Sequence, residues 1–591
     1  MKPHFYSSER NVQIVISLLK SHGIKKVVTS PGMTNITFVA SIQTDPFFEL
    51  YSCVDERSAA YMACGMAAET GEPIVLSCTG ATASRNYMPA LTEAFYRKLP
   101  ILAITSSRAE NLIGHLKPQL TNRYVIPADI VTEHVTAPFV TDEHSELLCI
   151  LEVNKAILAL KHHEGGPAHI NLLTFSTPNF SVQKLPPVRA IYRTEFGDEF
   201  PQMPKGRKVI FIGSHQPMSK NLTSLIEKFC EVHDAIVLID QTSGYYGKYR
   251  IQSALQMFQL ENSGPIPNMD LLIHIGEVSG DYEVLRFRPK QVWRVSPDGA
   301  VRDYFKALTR VFEMPLDYFF EFYSKGEHKK TEQYEEIKSY DDLLRLNLPD
   351  LPFSNIWVAS QLSGKLPQHS VIHFGILDSL RSWNFFECPP SVQGYSNVGG
   401  FGIDGCLSSA VGGSIVYPEN IHYCVLGDLA FFYDMNALGN RHIENNLRVL
   451  LINNGLGQEF RNGAVDRCYG LKDAMNPFVA AEGHYGQKSP SLLRHFSQDL
   501  GFEYHSASNK EEFIAVMDWF LSPSITEKPI FLEVFTDSMF EQRALDMMNH
   551  VWHNNLSIFK TAVTKIRQEV KSEIVDVIGE EKIKAIKTLL S

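Results

Sequence analysis

Short runs of almost purely apolar residues recur along this chain, each separated from the next by a helix-sized stretch. The clearest are KVIFIGS, AIVLID, DLLIHIG and QVWRVS between residues 208 and 296, then VIHFG, HYCVLGD, VLLINN and IFLEVF between 371 and 535. A strand with one face in water alternates polar and apolar residues, whereas strands as uniformly apolar as these are covered by helices on both faces. The predicted fold class is therefore α/β, built from doubly wound parallel sheets.

The same rhythm, less regular, runs through the amino-terminal part. A helical pattern spans Val12 to Ser21, and a strand from Lys26 to Ser30 ends at the Pro31-Gly32 turn. A strand from Leu50 to Val54 leads into the Ala- and Met-rich helix DERSAAYMACGMAAE, and PIVLSCT, LPILAIT and GPAHINLLT follow as strands. STPNFSVQKLPPV then reads as a Pro-rich linker. The 591 residues leave room for about four domains. The expected division is 1–185, 200–345 and 350–545, each a parallel-sheet domain, and a helical tail over 546–591. The charged stretch from Ser324 to Asp342 reads as a solvated helix and linker.

Composition narrows the partners. The net charge is −11 and no Lys/Arg block stands out, which argues against nucleic acid and anionic membranes. No apolar run approaches the ~18 residues of a spanning helix, and the opening MKPHFYSSERNVQ lacks the apolar core of a secretory signal. Nine cysteines are scattered without CxxC spacing; they read as free thiols in a reducing compartment, so a cytoplasmic location is expected.

Three motifs carry chemistry. Gly427-Asp428 closes one apolar strand and Asn453-Asn454 the next, with Asp428 and Asn454 26 positions apart, one strand–helix–strand unit. A carboxylate and an amide oxygen at neighbouring strand ends suit Mg²⁺ carrying phosphate oxygens; the plain alternative is a helix N-cap beside an Asn turn. In GFGIDG, Gly400, Gly402 and Gly405 match the spacing of a dinucleotide fingerprint, but no apolar strand runs directly into it. It reads equally as a glycine-lined loop facing a diphosphate, with a helix beginning near Ile403-Asp404, or as close helix packing. Glu56 follows a strand and opens a helix, as a carboxyl bonded to a heterocycle or as a charge suited to a helix N-terminus.

Taken together, TSPG (29–32), VDERSAAYMACGMA (54–67), TGATASRNYMPALTEA (79–94), ITSSRAENL (104–112), GPAHIN (166–171), GFGIDGCLSSA (400–410), GDLAFFYDMNAL (427–438) and NNGLGQEF (453–460) resemble the thiamine-diphosphate-dependent 2-oxo acid decarboxylase superfamily. Within it they are most similar to the MenD-like SEPHCHC synthases of menaquinone biosynthesis. The resemblance implies pyrimidine-binding, central and diphosphate-binding domains, with thiamine diphosphate and Mg²⁺ as cofactors. It implies that Glu56 meets the aminopyrimidine and that Gln119 is a second catalytic residue. Asp428, the Asn454 side chain and the Leu456 carbonyl would hold Mg²⁺. Gly402, Ile403, Asp404, Gly427, Leu429 and Gly457 would lie against the cofactor, and Ser30, Arg108 and His115 near the substrate. For Arg108 a surface salt bridge is the alternative.

Departures from the family pattern are informative. Ser30-Pro31-Gly32-Met33-Thr34-Asn35 stands where the family reads Ser-Pro-Gly-Ser-Arg-Ser, and Asn397-Val398-Gly399 where it reads Asn-Arg-Gly. Glu459 occupies a position that is usually apolar. Two arginines that would meet an acidic acceptor are missing, so the acceptor pocket is expected to be altered. The expected activity is decarboxylation of a 2-oxo acid and transfer of the acyl carbanion to an acceptor. Release of an aldehyde, SEPHCHC synthase proper, a vestigial-site binding protein and a nucleotide-dependent dehydrogenase are the alternatives. The resemblance further implies a homodimer or homotetramer with shared active sites.

Overall fold

A computed structural model describes residues 5–555 except 109, 176–178, 260–268, 282–283, 285, 329–330, 462–475 and 485–487. Most of the expected tail therefore lies outside the described residues; its beginning lies in the helices Ser538–Asn549 and Val551–Asn554. The chain forms two compact units, one of residues 1–199 with 299–313, the other of 200–298 with 314–591.

The first unit contains a six-stranded, wholly parallel sheet in the order Glu49–Ser52, Lys26–Thr29, Ile74–Thr79, Ile101–Ser107, Ala168–Leu173, Glu133–Ala137. Alternate residues serve opposite faces. Val27, Val75, Leu102 and Ile170 enter one core, and Val28, Leu76, Cys78 and Ala103 the other. Double coverage is why these runs are apolar throughout. The helix Glu56–Thr70 begins at Asp55, whose carboxylate accepts from the Ser58 N–H, and stops at Gly71 in a left-handed conformation (φ 67°). Separately in this unit, Leu308–Glu313 pairs in parallel with Tyr192–Glu195.

The second unit contains five parallel strands in the order Arg250–Gln252, Ala235–Ile239, Lys208–Ile212, Leu271–Ile275, Val292–Val295. It also holds a six-stranded parallel sheet in the order Gln393–Ser396, Val371–Phe374, His422–Gly427, Leu447–Asn453, Ile530–Phe535, Glu503–Ala507. Numbered along the chain, both six-stranded sheets run 2-1-3-4-6-5. The order in which strands are added across the sheet reverses between strands 1 and 3 in each, and ligands of open α/β sheets bind beyond the carboxyl ends at such a point.

The charged stretch after Ser324 is not simply solvated. Its helix, Glu332–Leu346, buries Ile337, Tyr340 and Leu344 along one face, and Tyr340 and Leu344 enter the core of the second unit. Among the described residues no helix is long and apolar enough to cross a membrane, and the described cysteines are free thiols; Cys468 lies outside them.

Candidate active site

The last sheet brings Asp428 and Asn454 together as their spacing predicts. Strands His422–Gly427 and Leu447–Asn453 pair with Gly427 opposite Ile452, so both residues sit just beyond adjacent carboxyl ends. The Asp428 carboxylate accepts from the Leu429 N–H and the Gly455 N–H, each at 2.8 Å. Gly455 supplies its N–H from a left-handed conformation (φ 79°). Among the described residues Asn454 Oδ1 accepts only a long 3.4 Å bond from the Leu456 N–H. The Gly457 N–H donates to the Ala480 carbonyl at 2.6 Å, which fixes the loop.

Asp428 is buried at 6% exposure, and among the described residues no basic side chain pairs with it. Burial pushes its carboxyl up to about 7, the two N–H bonds oppose the shift, and the nearby Glu533 carboxylate adds to it. An anion this short of positive charge is suited to a divalent cation, and hard oxygen donors from Asp428, Asn454 and the Leu456 carbonyl fit Mg²⁺. Gly427 makes no sharp turn after its strand: its backbone is extended (φ −79°, ψ 163°). A Cβ there would meet nothing within 4 Å, so glycine leaves the strand end open.

Gly402, Ile403 and Asp404 form the turn before the helix Cys406–Val416, which starts later than the expected Ile403-Asp404. The strand Gln393–Ser396 ends well before the glycines. Asp404 is exposed, while Ser408 anchors the helix start through its N–H and hydroxyl to Asp434, both at 2.6 Å. Glu459, unexpected beside a cofactor loop, is neutralised. Arg381 grips it with two nitrogens at 2.7 and 3.2 Å, a partner that sequence reasoning missed. Val398 is buried in the apolar core, not presented as a substrate contact.

In the first sheet, Glu56 is half-buried at the helix start after strand Glu49–Ser52. Its carboxylate lies close enough to Cys78 to help burial push that thiol up to about 12. Ser30 is buried, and its Oγ finds no hydrogen-bond partner among the described residues. A cavity of about 510 Å³ opens beyond the carboxyl ends of this sheet, lined by Thr34, Gly80, Arg108, Lys117 and Gln119 among others. Its rim is tied by the Thr34 hydroxyl and the Gly80 N–H, which both donate to the Ser106 carbonyl at 2.7 and 2.6 Å. Two cations and no carboxylate line it among the described residues. Arg108 and Gln119 thus share one cavity; Ser30 and His115 are not among its lining residues, and His115 is exposed. Lys117, two positions before Gln119 in KPQLTN, was missed, although a cation beside a singled-out glutamine was the available signal.

Comparison with known proteins accounts for this arrangement. Residues 10–125 match the family model of the thiamine pyrophosphate enzyme N-terminal TPP binding domain. The 2-succinyl-5-enolpyruvyl-6-hydroxy-3-cyclohexene-1-carboxylate synthase of Bacteroides thetaiotaomicron is 30% identical over 92% of this chain and 99% of its own length. That of Bacteroides fragilis is 30% identical over 93% and 100%, and that of Christiangramia forsetii 28% identical over 91% and 98%. The protein is an enzyme dependent on thiamine diphosphate and a divalent metal; it decarboxylates a 2-oxo acid and joins the acyl unit to a small-molecule acceptor. With near-complete coverage in both directions, the chain belongs to the 2-succinyl-5-enolpyruvyl-6-hydroxy-3-cyclohexene-1-carboxylate synthase family of thiamine-diphosphate enzymes.

Proposed function

We propose that the donor is a 2-oxo dicarboxylic acid and the acceptor an enolpyruvyl cyclohexadiene carboxylate. The relatives' product name specifies a succinyl group, an acyl unit that keeps a distal carboxylate. The 2-oxo acid that leaves it after losing carbon dioxide is 2-oxoglutarate, and the remainder of the product corresponds to isochorismate. The observation that carries the reading is the cavity with Arg108 and Lys117 and, among the described residues, no carboxylate, since paired cations without acids favour a substrate of more than one negative charge.

Bound thiamine diphosphate supplies the electron sink for loss of carbon dioxide. Glu56 holds a proton at the aminopyrimidine nitrogen. Asp428, Asn454 Oδ1 and the Leu456 carbonyl hold Mg²⁺, and Gly402, Ile403, Asp404, Gly427, Leu429 and Gly457 lie against the cofactor. Gln119 and Arg108 orient the substrate with Lys117; the roles of Ser30 and His115 rest on the family resemblance. The division at 1–185, 200–345, 350–545 and 546–591, the cytoplasmic location and the shared-site homodimer or homotetramer belong to the same reading. Its support is the solvent-facing stripe Ser58, Tyr61, Met62, Gly65 and Ala68 on helix Glu56–Thr70, small and apolar enough to meet a second copy.

The test supplies thiamine diphosphate, Mg²⁺ and either 2-oxoglutarate or pyruvate, with and without isochorismate, and follows carbon dioxide and product mass. Turnover of 2-oxoglutarate with a ligated product is expected; turnover of pyruvate alone rejects the donor. Thr34 and Val398 in place of arginines favour a second outcome, aldehyde release, which the same mass measurement reveals.

A further inference from the structure

A second cavity, about 220 Å³, lies in the first compact unit against strand Ile101–Ser107 and shares no lining residue with the Arg108–Lys117 cavity. Its wall is largely apolar, with Met88 and Leu91 from helix Met88–Tyr96, Ala103 from the strand, and Ile126, Ile130 and Val131 from the covering segment. Two cations, Arg85 and Arg123, also line it, and among the described residues no carboxylate does.

Arg123 is the unusual one. It is 8% exposed, and its two terminal nitrogens donate to Thr105 Oγ1 and Asn171 Oδ1, both neutral. Among the described residues it forms no ion pair. Glu110 makes no hydrogen bond to it: its carboxylate accepts from Asn171 Nδ2 at 2.5 Å and acts on the Arg123 charge from behind that amide. A guanidinium carries more N–H groups than two acceptors use, and a buried cation without a paired anion is costly. Burial pushes Arg123 down to about 10, which leaves it charged at neutral pH.

The group is also held in place. Arginine only donates, so the Thr105 hydroxyl passes its own proton on to His169 Nε2 at 2.7 Å. His169 then carries its proton on Nδ1 and donates to His134 Nδ1, again at 2.7 Å. One end of this chain fixes every donor along it. A planar guanidinium so fixed is preorganised for a planar anion.

We propose that this cavity binds a small carboxylic acid with an apolar body, the carboxylate on Arg123 and the body against Met88, Leu91 and Ile130. The pocket is smaller than most drug-sized sites, which limits the ligand to about the size of an aromatic or branched aliphatic monocarboxylate. Its occupancy reaches the reaction cavity by contact. A Cβ at Gly80 would lie 3.3 Å from Arg123 Cζ, and Gly80 lines that other cavity.

The test uses the full chain with thiamine diphosphate and Mg²⁺, titrated calorimetrically with benzoate, with 3-methylbutanoate and with the neutral control benzamide. One saturable site for at least one carboxylate, and none for benzamide, is expected. Arg123→Met should weaken binding about tenfold or more, ~1.4 kcal/mol per decade. Ile126→Trp, at a half-buried rim position, should do the same without touching the strand core, and keeps the test valid if Arg123→Met fails to fold. Lys117→Met should leave carboxylate binding intact. The proposal is overturned if neither carboxylate saturates a site, if the site survives both Arg123→Met and Ile126→Trp, or if Lys117→Met abolishes it. None of these outcomes depends on which 2-oxo acid the enzyme consumes.

Discussion

At the scale of single residues, Glu56 and Lys117 make separable contributions. Glu56 stands in the first turn of its helix, where a carboxylate adds only ~0.3–1 kcal/mol. Glu56→Gln keeps the shape and loses the proton-holding group, so the fold should survive. Turnover in carbon dioxide release should fall by ~10²–10⁴, the span of an acid–base contribution, while the melting temperature stays near that of the parent; unchanged turnover would show that the proton is held elsewhere. Lys117 is a question of charge placement. The family's arginine after Ser-Pro-Gly-Ser is Thr34 here, and Thr34 and Lys117 line the same cavity. Lys117→Met should raise KM for 2-oxoglutarate about ten- to a hundredfold, from the loss of a charge-assisted bond of ~1.5–3 kcal/mol, and leave KM for pyruvate nearly unaltered. Adding Thr34→Arg to that variant should restore discrimination. If the double variant remains as poor as the single one, the two positions do not serve the same carboxylate.

At the scale of elements, the strand ends decide the chemistry. Burial pushes the Asp428 carboxyl up from the ordinary carboxylate range to about 7. Because the folded value is raised, the native protein binds the extra proton. The stability this contributes is full below the unfolded value and is lost as pH rises through about 7. Without metal, Asp428→Asn removes that dependence. The difference in melting temperature between variant and parent should therefore move in the variant's favour from about pH 5 to about pH 8. With Mg²⁺ and thiamine diphosphate the parent alone should gain, since a ligand stabilises the form that binds it. A pH-independent difference without metal would show that the buried carboxyl does not take up the extra proton, and an equal gain of both proteins with Mg²⁺ and thiamine diphosphate would place the metal elsewhere. The ends of central strands were legible in the sequence because burial on both faces writes continuous apolar runs that stop at Asp428 and Asn454. Of the edge strands of the two six-stranded sheets, Glu49–Ser52 was read as Leu50 to Val54, but Glu133–Ala137, Gln393–Ser396 and Glu503–Ala507 were not: they are half-exposed, polar and short, as unpaired sheet edges tend to be. The 2-1-3-4-6-5 order common to two sheets was equally hidden, since topology repeats in hydrogen bonding and not in residue identity. Arg381, Lys117 and Arg123 escaped because each gains its meaning from partners or cavity walls distant in sequence, which spacing alone does not report.

At the scale of the whole molecule, the proposed site shared between subunits makes assembly a measurable property, and helix Glu56–Thr70 gives a way to test it. Its inner face is packed with Ala59, Ala60, Ala63, Cys64 and Ala67. Its outer face leaves Tyr61 47% and Met62 39% exposed, and a Cβ at Gly65 would meet nothing within 4 Å. In an isolated chain Gly65→Glu should be harmless or stabilising, because glycine in a helix interior costs roughly 0.5–1 kcal/mol relative to alanine and glutamate is a good helix former. In an oligomer that buries this face the same change inserts an unpaired carboxylate between subunits, which is strongly unfavourable. Sedimentation velocity should accordingly find the parent as a dimer or tetramer and Gly65→Glu as a smaller species with intact far-ultraviolet circular dichroism. Carbon dioxide release should fall in step with dissociation and recover partly at high protein concentration, because a site completed by two copies is restored by mass action. A Gly65→Glu protein that keeps the parent's size would remove this helix face from the interface, and a monomeric parent with full activity would remove the shared site.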